Sequence, residues 1–295
     1  MKKLNCIFMF LVLLVFSGCI RENLDECWHV ELYFDYEVKD RNMFPERMEK
    51  VNLYMFNDKT QLVYQKEYAT TELINFTITP KFRLEPGRYT IVAIGNQFEN
   101  TEITGLESGS LENMFFRHPE TRTDNRIRTY DKNYCGSVTF DLGAVTTYRD
   151  TVDMELSHMN MLIEIKGFTE SADDLPYYVV IENVSAQTDF NNQIEPGVYE
   201  TCVPEMTYDR SKGVISTHGL SLFRFDRIRD QVIKLYDAGG EFVISKSLAE
   251  YLEENPELID YADLETEVPI SFEFSSVGVV IKVPDWFIVH VDPEL

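Results

Sequence analysis

The most constraining feature of this sequence is an alternation of apolar and polar residues near the start of its folded part. Between residues 28 and 38, apolar side chains occupy every second position, namely Val30, Leu32, Phe34, Tyr36 and Val38. Acidic residues fill three of the positions between them, namely Glu31, Asp35 and Glu37. Because successive side chains of a β-strand point to opposite faces, the pattern predicts a strand with one buried and one solvated face.

Segments of similar character recur along the chain at roughly ten-residue spacing. We predict strands at residues 51–57, 61–68, 74–79, 88–95, 136–141, 147–156, 161–168, 177–184, 213–225, 231–236, 241–245, 270–274 and 278–291. One helix is predicted over residues 246–261, with Ser245 or Ser247 as its N-cap and Pro256 as an interruption. Many short strands without an alternating βαβ pattern predict an all-β protein built from antiparallel β-sandwiches.

The length of the chain fits two domains of ordinary size. A break near residues 157–160 divides the predicted strands into two groups. We therefore predict an N-terminal β-sandwich at residues 28–158 and a C-terminal β-sandwich at residues 159–295, with the short helix in the second. Each half begins with a strand and contains a long irregular excursion, which favours tandem sandwiches of related design without a residue-level repeat.

The N-terminus has the order of an export signal. Lys2 and Lys3 precede an apolar run of about thirteen residues, which is too short for a hydrocarbon core of about 30 Å. The small residues Ser17 and Gly18 then precede Cys19, as in the cleavage site of bacterial lipoproteins. The alternative is an ordinary secretory signal followed by a chance cysteine, and both interpretations export the chain.

The lipoprotein interpretation divides this end of the chain into a signal peptide at residues 1–18 and a lipidated polar tether at residues 19–27. It attaches the chain to a membrane through acyl chains on Cys19. Removal of Lys2 and Lys3 with the signal changes the formal net charge from −23 to −25. So acidic a protein repels phosphate backbones, which excludes nucleic acid as a partner.

Five cysteines are present, and two of them, Cys6 and Cys19, belong to the signal and its cleavage site. Disulfides persist outside the cytoplasm, but the three remaining cysteines cannot all pair with one another. We predict a disulfide between Cys27 and Cys135, because both fall in the first half of the chain. The alternative is that Cys27, Cys135 and Cys202 are small buried apolar residues.

The sequence carries no local signature of catalysis, of metal binding or of a cofactor. The five histidines are scattered, with no pair closer than about forty residues, and no HExxH or CxxC motif is present. Ser108 stands one place late for a nucleophile elbow. The acid pairs Asp173-Asp174 and Glu253-Glu254 are best explained as solvated surface. The tripeptide around Thr151 has the form of a bacterial O-glycosylation acceptor, which makes Thr151 a candidate modification site.

Several segments together resemble the FimB-type minor subunits and anchors of the type V fimbriae of Bacteroidales. They are Ser17-Gly18-Cys19 with acidic residues soon after, Cys27 before the strand at 30–36, residues 51–57 (VNLYMFN), residues 84–96 (LEPGRYTIVAIGN), residues 156–159 (LSHM) with residues 163–167, and residues 279–286 (VVIKVPDW). Their order and spacing extend over most of the chain.

The resemblance implies two transthyretin-like β-sandwich domains and no catalysis. It further implies a lipid-anchored subunit that attaches the fimbrial shaft to the outer membrane, limits its length and serves cell adhesion. Partner shaft subunits would bind by β-strand addition, with residues 30–38 and 279–291 as the candidate strands. The alternative for both segments is an ordinary strand paired within its own domain.

Two other classes of function remain open from the sequence. A surface glycan-binding lipoprotein would need a cluster of exposed aromatic side chains, because such rings stack on pyranose faces. A hydrolase would need two carboxylates within about 10 Å of one another in a cleft.

Overall fold

The structure is a computed structural model that describes residues 28–82, 84–119, 126–143, 147–169, 175–224, 230–259, 265 and 267–287. The predicted signal and tether, including Cys19 and Cys27, lie outside the described residues. Asp173 and Asp174 also lie outside them.

The described chain is dominated by short strands, which confirms the all-β prediction. Before residue 158 they are β1 (Trp28–Asp35), β2 (Glu37–Val38), β3 (Arg41–Asn42), β4 (Lys50–Asn57), β5 (Leu62–Ala69), β6 (Thr77–Ile78), β7 (Lys81–Phe82), β8 (Gly87–Gly95), β9 (Glu102–Thr104), β10 (Phe115–Arg117), β11 (Arg126–Ile127), β12 (Tyr134–Leu142), β13 (Thr147–Asp153) and β14 (Glu155–Leu156).

From residue 158 onward the strands are β15 (His158–Lys166), β16 (Tyr177–Ser185), β17 (Gln187–Asp189), β18 (Tyr199–Cys202), β19 (Met206–Asp209), β20 (Val214–Thr217), β21 (Leu220–Phe223), β22 (Val232–Asp237), β23 (Phe242–Ser247), β24 (Glu267–Ser275) and β25 (Gly278–Lys282). The α-helices are α1 (Phe44–Arg47) and α2 (Leu248–Glu254). Single 3-10 turns occur at Thr70–Glu72, Leu106–Ser108, Leu111–Asn113 and Pro256–Leu258.

The strands form two sandwiches that share one topology. In the first, a sheet in the order β5-β4-β8-β12 faces a sheet in the order β13-β1-β6. In the second, a sheet in the order β18-β16-β22-β23 faces a sheet that contains β24, β15 and β20. The strand order therefore repeats even though the residues do not, which agrees with the predicted tandem sandwiches of related design.

Parallel pairing distinguishes the structure from the purely antiparallel sandwiches that we predicted. The first strand of each sandwich lies parallel to a late one, β1 beside β13 and β15 beside β24. Parallel neighbours need a long connection, and here each connection runs through the rest of its own sandwich. Periodicity reveals the side-chain alternation of a strand but not the direction of its neighbour.

Hydrogen bonds cross the predicted boundary between the halves. Strand β10 pairs with β17, and β11 pairs with β18, so segments that precede residue 158 extend sheets that follow it. The division at residues 158 and 159 stays a prediction.

The helix α2 is shorter than predicted. The hydroxyl oxygen of Ser247 accepts a hydrogen bond from the backbone N–H of Glu250 at 3.4 Å, so Ser247 is the N-cap. The helix ends at Glu254, two residues before Pro256, because proline has no N–H and disfavours helical geometry in the residue before it.

The sheet that contains β4 is buried on both faces. Val51, Leu53 and Met55 point into the core of the first sandwich. Tyr54 and Phe56, on the opposite face of the same strand, belong to the core that fills the second sandwich. One strand therefore joins both cores, and its run of buried residues reads as nearly continuous apolar sequence.

An aromatic cluster fills this junction. The ring of Phe190 lies 5.3 Å from Tyr54, 6.2 Å from Phe56 and 6.4 Å from Phe116, measured between ring centroids. Phe116 in turn contacts Phe223 at 5.7 Å. Phe190 thus connects aromatic side chains from β4 and β10 across the two halves of the chain.

Replacement of Phe190 by alanine should destabilise the protein strongly, because it leaves a cavity where the two cores meet. We expect a loss of about 3–5 kcal/mol in the free energy of unfolding. Phe242→Ala is the matched control, since its ring is 56% exposed, and it should cost less than about 0.5 kcal/mol. Urea unfolding of both variants measures the difference, and equal losses would show that Phe190 does not hold the junction.

Candidate functional site

The described cysteines are buried thiols. Cys135 on β12 is free, and its Sγ donates a hydrogen bond to the carbonyl of Phe190 at 3.3 Å. Burial raises the pKa of Cys135 to about 12, with Asp189 and Glu155 adding to the effect. Burial also raises the pKa of Cys202. Neither thiol is a nucleophile at neutral pH. The disulfide between Cys27 and Cys135 stays a prediction, because Cys27 is not among the described residues.

The candidate glycosylation site Thr151 lies on β13 and is exposed. Its register partner is Tyr33 of β1, and its backbone N–H donates to Oδ1 of Asp150 at 2.9 Å. The hydroxyl stands where an enzyme can reach it. Modification of Thr151 stays a prediction.

The two candidate interaction strands occupy different positions in their sheets. Strand β1 is interior: β13 pairs with it on one side, and β6 and β7 pair with it on the other. Residues 28–35 are thus a paired strand of their own domain, which was the alternative interpretation. Among the described residues strand β25 pairs with β24 alone, so its other edge has no partner within them.

The outer face of the β25 sheet carries a charged network. The ammonium group of Lys282 lies 3.0 Å from Glu273 and 2.8 Å from Asp285, and Lys166 lies 2.8 Å from Glu273 and 2.9 Å from Glu164. Burial alone would lower the pKa of Lys166, but hydrogen bonds to Glu273 and Glu164 outweigh it and raise this pKa. Hydrogen bonds to Asp285 and Glu273 likewise raise the pKa of Lys282. The network holds both lysines charged.

The residues after β25 fold back over this network. The indole N–H of Trp286 donates to Oε2 of Glu164 on β15, two strands inward from β25, at 3.1 Å. The ring remains 55% exposed, and Val277 at the β24–β25 turn is 94% exposed. The last described hairpin therefore combines an open edge with exposed apolar side chains.

The residues considered above as catalytic or metal-binding candidates make ordinary local contacts where the structure describes them. The described residues contain no group of three or more side chains suited to a metal ion. Ser108 donates its hydroxyl hydrogen to the carbonyl of Gly105 at 2.6 Å, within its own turn. Glu254, from one of the two acid pairs, forms an ion pair with Lys246 at 2.7 Å. Within the same residues, no helix is long and apolar enough to cross a membrane.

Two of the histidines are buried at the junction. His158 is fully buried, with its ring 4.7 Å from Phe223 and 5.6 Å from Tyr130. His118 is also buried and meets Tyr130 at 5.6 Å. Burial lowers the pKa of His158 to about 3, against a smaller opposing effect of the Asn133 backbone. His158 is therefore a neutral packing residue.

Sequence reasoning missed a polar cleft beside this junction. Asn52, Gln97, Phe98 and Asp131 line it, and they come from β4, from the segment after β8 and from the segment before β12. Of these residues, Asn52 alone was recognisable in the sequence as unusual, because it is a polar residue within the apolar run at residues 51–56.

Comparison with known proteins identifies the family. The sequence profile of the fimbrillin-A associated anchor proteins Mfa1 and Mfa2 matches residues 24–292. The chain belongs to this fimbrial anchor family. Membership confirms the resemblance drawn from the sequence and groups the chain with structural proteins of fimbriae rather than with enzymes.

Solved structures agree on the fold at low sequence identity. A candidate adhesin from Bacteroides ovatus superposes with a TM-score of 0.70 at 16% identity, over 89% of this chain and 96% of the other. A candidate polysaccharide-binding protein from Bacteroides thetaiotaomicron gives 0.67 at 14% identity, over 88% and 99%. The fimbrial anchor Mfa2 from Porphyromonas gingivalis gives 0.66 at 12% identity, over 86% and 94%. Among curated proteins, no sequence matches the chain.

Acid should destabilise this family member through His158. The unfolded chain binds a proton at His158 near pH 6.5, whereas the folded chain does so only near pH 3. Stability should therefore fall as pH decreases from about 6.5 toward 3, by up to about 1.4 kcal/mol per pH unit.

Urea unfolding between pH 7 and pH 4 tests this expectation. The variant His158→Phe should lose this part of the pH dependence, and His218→Gln, at an exposed histidine, should keep it. A wild-type slope retained in His158→Phe would contradict the assignment.

Proposed function

We propose that this chain is the lipid-anchored minor subunit that attaches a fimbrial shaft to the outer membrane and limits its length. Family membership over residues 24–292 is the observation that carries the proposal. The N-terminal sequence supports it, because Lys2 and Lys3, a short apolar run and Ser17-Gly18-Cys19 follow the order of a lipoprotein signal. Cys19 is the proposed lipid-bearing residue.

The proposed anchor combines acyl chains with a tether. Attachment by several acyl chains is far more durable than attachment by one, so Cys19 alone supplies membrane retention. Residues 20–27 include Glu22, Asp25 and Glu26. Their charge favours a solvated connection between the lipid and β1, and it opposes burial in anionic head groups.

Shaft subunits are proposed to bind by β-strand addition at β25. An open edge presents unpaired backbone N–H and C=O groups, and pairing with an incoming strand satisfies them without a deep pocket. The exposed side chains of Val277, at the β24–β25 turn, and Val280, on β25 itself, lie beside this edge and can be covered by the incoming strand. Strand β1 fits this role less well, since it is already paired on both sides.

Replacing Cys19 by alanine should release the protein and its fimbriae from the cell. We expect mass spectrometry to find acyl chains on wild-type Cys19, shaft protein in the affinity-purified sample, and shed fimbriae in the culture medium of the Cys19→Ala strain. Cys27→Ala is the matched control, because it removes a nearby cysteine outside the cleavage site and should keep both lipid and attachment. Fimbriae retained normally by the Cys19→Ala strain would contradict lipid anchoring.

Strand addition should protect the amides of β25 from hydrogen exchange. The mature chain is mixed with the shaft protein that co-purifies with it, and exchange is compared with that of the free chain. We expect slower exchange at residues 279–282, whose unpaired edge becomes paired, and unchanged exchange at residues 64–67 of β5, an edge strand of the first sandwich. Protection at β5 without protection at β25 would place the contact elsewhere.

A further inference from the structure

Each sandwich places its first strand parallel to a strand that comes late in the same half. Strand β1 pairs with β13 over seven residues, with His29 opposite Thr147 and Asp35 opposite Asp153. Strand β15 pairs with β24 in the same direction, also over seven residues. In both halves the chain therefore enters along one strand of a parallel pair and leaves along the other.

The points where the chain enters and leaves the first pair lie at its opposite ends. The chain enters β1 at Trp28, and it leaves β13 at Asp153 toward β14 and β15. Because the pair is parallel, Asp153 lies beside the last residue of β1 rather than beside the first. Seven extended residues separate the two points by about 20 Å along the strands. Tension between these points acts along the strands.

Tension along a strand pair and tension across it meet different resistance. The hydrogen bonds of a ladder connect one strand to its neighbour and run across the strand direction. When one strand is pulled along its axis, these bonds share the load and must break together. When the strands are pulled apart from one end, the bonds break one after another. The first mode has the higher barrier to forced unfolding, and that barrier sets the force.

Strand β1 is also held by its other neighbours. Strand β6 pairs with the middle of β1, and β7 pairs with its first two residues. Past the end of the parallel ladder, the backbone N–H of Met154 donates to the carbonyl of Asp35 at 2.7 Å. The inward side chains of Val30, Leu32 and Phe34 are fully buried in the first core. Sliding β1 out of the sheet therefore breaks hydrogen bonds on both sides and exposes apolar surface.

We propose that β1 and β13 form a mechanical clamp, a strand pair whose bonds must all break together under tension, and that β15 and β24 repeat it in the second sandwich. The source of the load rests on the proposed function, because acyl chains on Cys19 pull on the N-terminal end of β1. The resistance itself is a property of the fold and needs no partner.

The test is single-molecule force spectroscopy of the mature full-length chain, with one handle at its N-terminus and the other on an introduced cysteine. Cys27 is replaced by serine, and Cys135 and Cys202 are buried and do not compete for the handle. Asp153→Cys places the second handle at the C-terminal end of β13. Gly143→Cys places it four residues before β13, near the end of the pair where β1 begins.

The two attachments load the same strands in different directions. Both positions are exposed, and a Cβ added at Gly143 meets no atom within 4 Å. Attachment at Asp153 pulls β1 and β13 along their axes, whereas attachment at Gly143 peels them apart. We expect an unfolding force at least about twofold higher with the Asp153 attachment. Equal forces, or a higher force with the Gly143 attachment, would overturn the proposal.

A matched pair of variants separates mechanical from thermodynamic stability. Leu32 on β1 and Leu53 on β4 are 0% and 1% exposed in the same core, so Leu32→Ala and Leu53→Ala should lose similar stability in urea. With the Asp153 attachment, we expect Leu32→Ala to lower the unfolding force and Leu53→Ala to leave it near that of the wild type. Equal decreases in force would show ordinary core stability and no clamp.

The clamp and the proposed anchoring can fail separately. The force is measured on the isolated chain, so a high force with the Asp153 attachment supports the clamp whether or not Cys19 carries lipid. A low force in a chain whose Cys19 is acylated and whose fimbriae stay attached would overturn the clamp and leave the anchor in place.

Discussion

The double burial of the β5-β4-β8-β12 sheet is the constraint on which the rest of this structure depends. Leu53 faces one core and Tyr54 faces the other, so neither sandwich is complete without the same strand. Aromatic rings fill the contact, and their large buried area makes separation of the two halves costly. Under the proposed function, a pulling force from the shaft would then pass through packed side chains rather than through a flexible linker.

The sequence was sufficient for the strand content and the fold class, but not for the way in which strands share a core. Alternation at residues 30–38 predicts one buried face, and Val30, Leu32 and Phe34 are indeed fully buried. The run at residues 51–56 predicts a strand as well. Periodicity does not reveal that one face of this strand is buried in the first core and the other face in the second. The parallel pairing of β1 with β13 was missed for the same reason, since it joins segments about 120 residues apart in the chain.

The candidate sites also differ in whether the sequence alone reveals them. Cys19 is recognisable because the residues that mark it, from Lys2 to Gly18, directly precede it in a fixed order along the chain. The cleft is not, because Asn52, Phe98 and Asp131 come from three separate segments that only the fold brings together. For strand β25 the sequence was sufficient in part: its apolar pattern predicts a strand, but the sheet order was needed to show that its outer edge has no partner among the described residues.

The low identity among structural neighbours indicates what this fold requires of its sequence. A TM-score of 0.70 at 16% identity means that this fold needs the right alternation and the right junction volume more than particular residues. Val51, Leu53 and Met55 satisfy that requirement and can be exchanged for other apolar residues of similar size. Asn52, on the same strand, is not interchangeable in this way, because its Nδ2 donates to Oε1 of Gln97 and so forms a polar contact at the end of the aromatic junction.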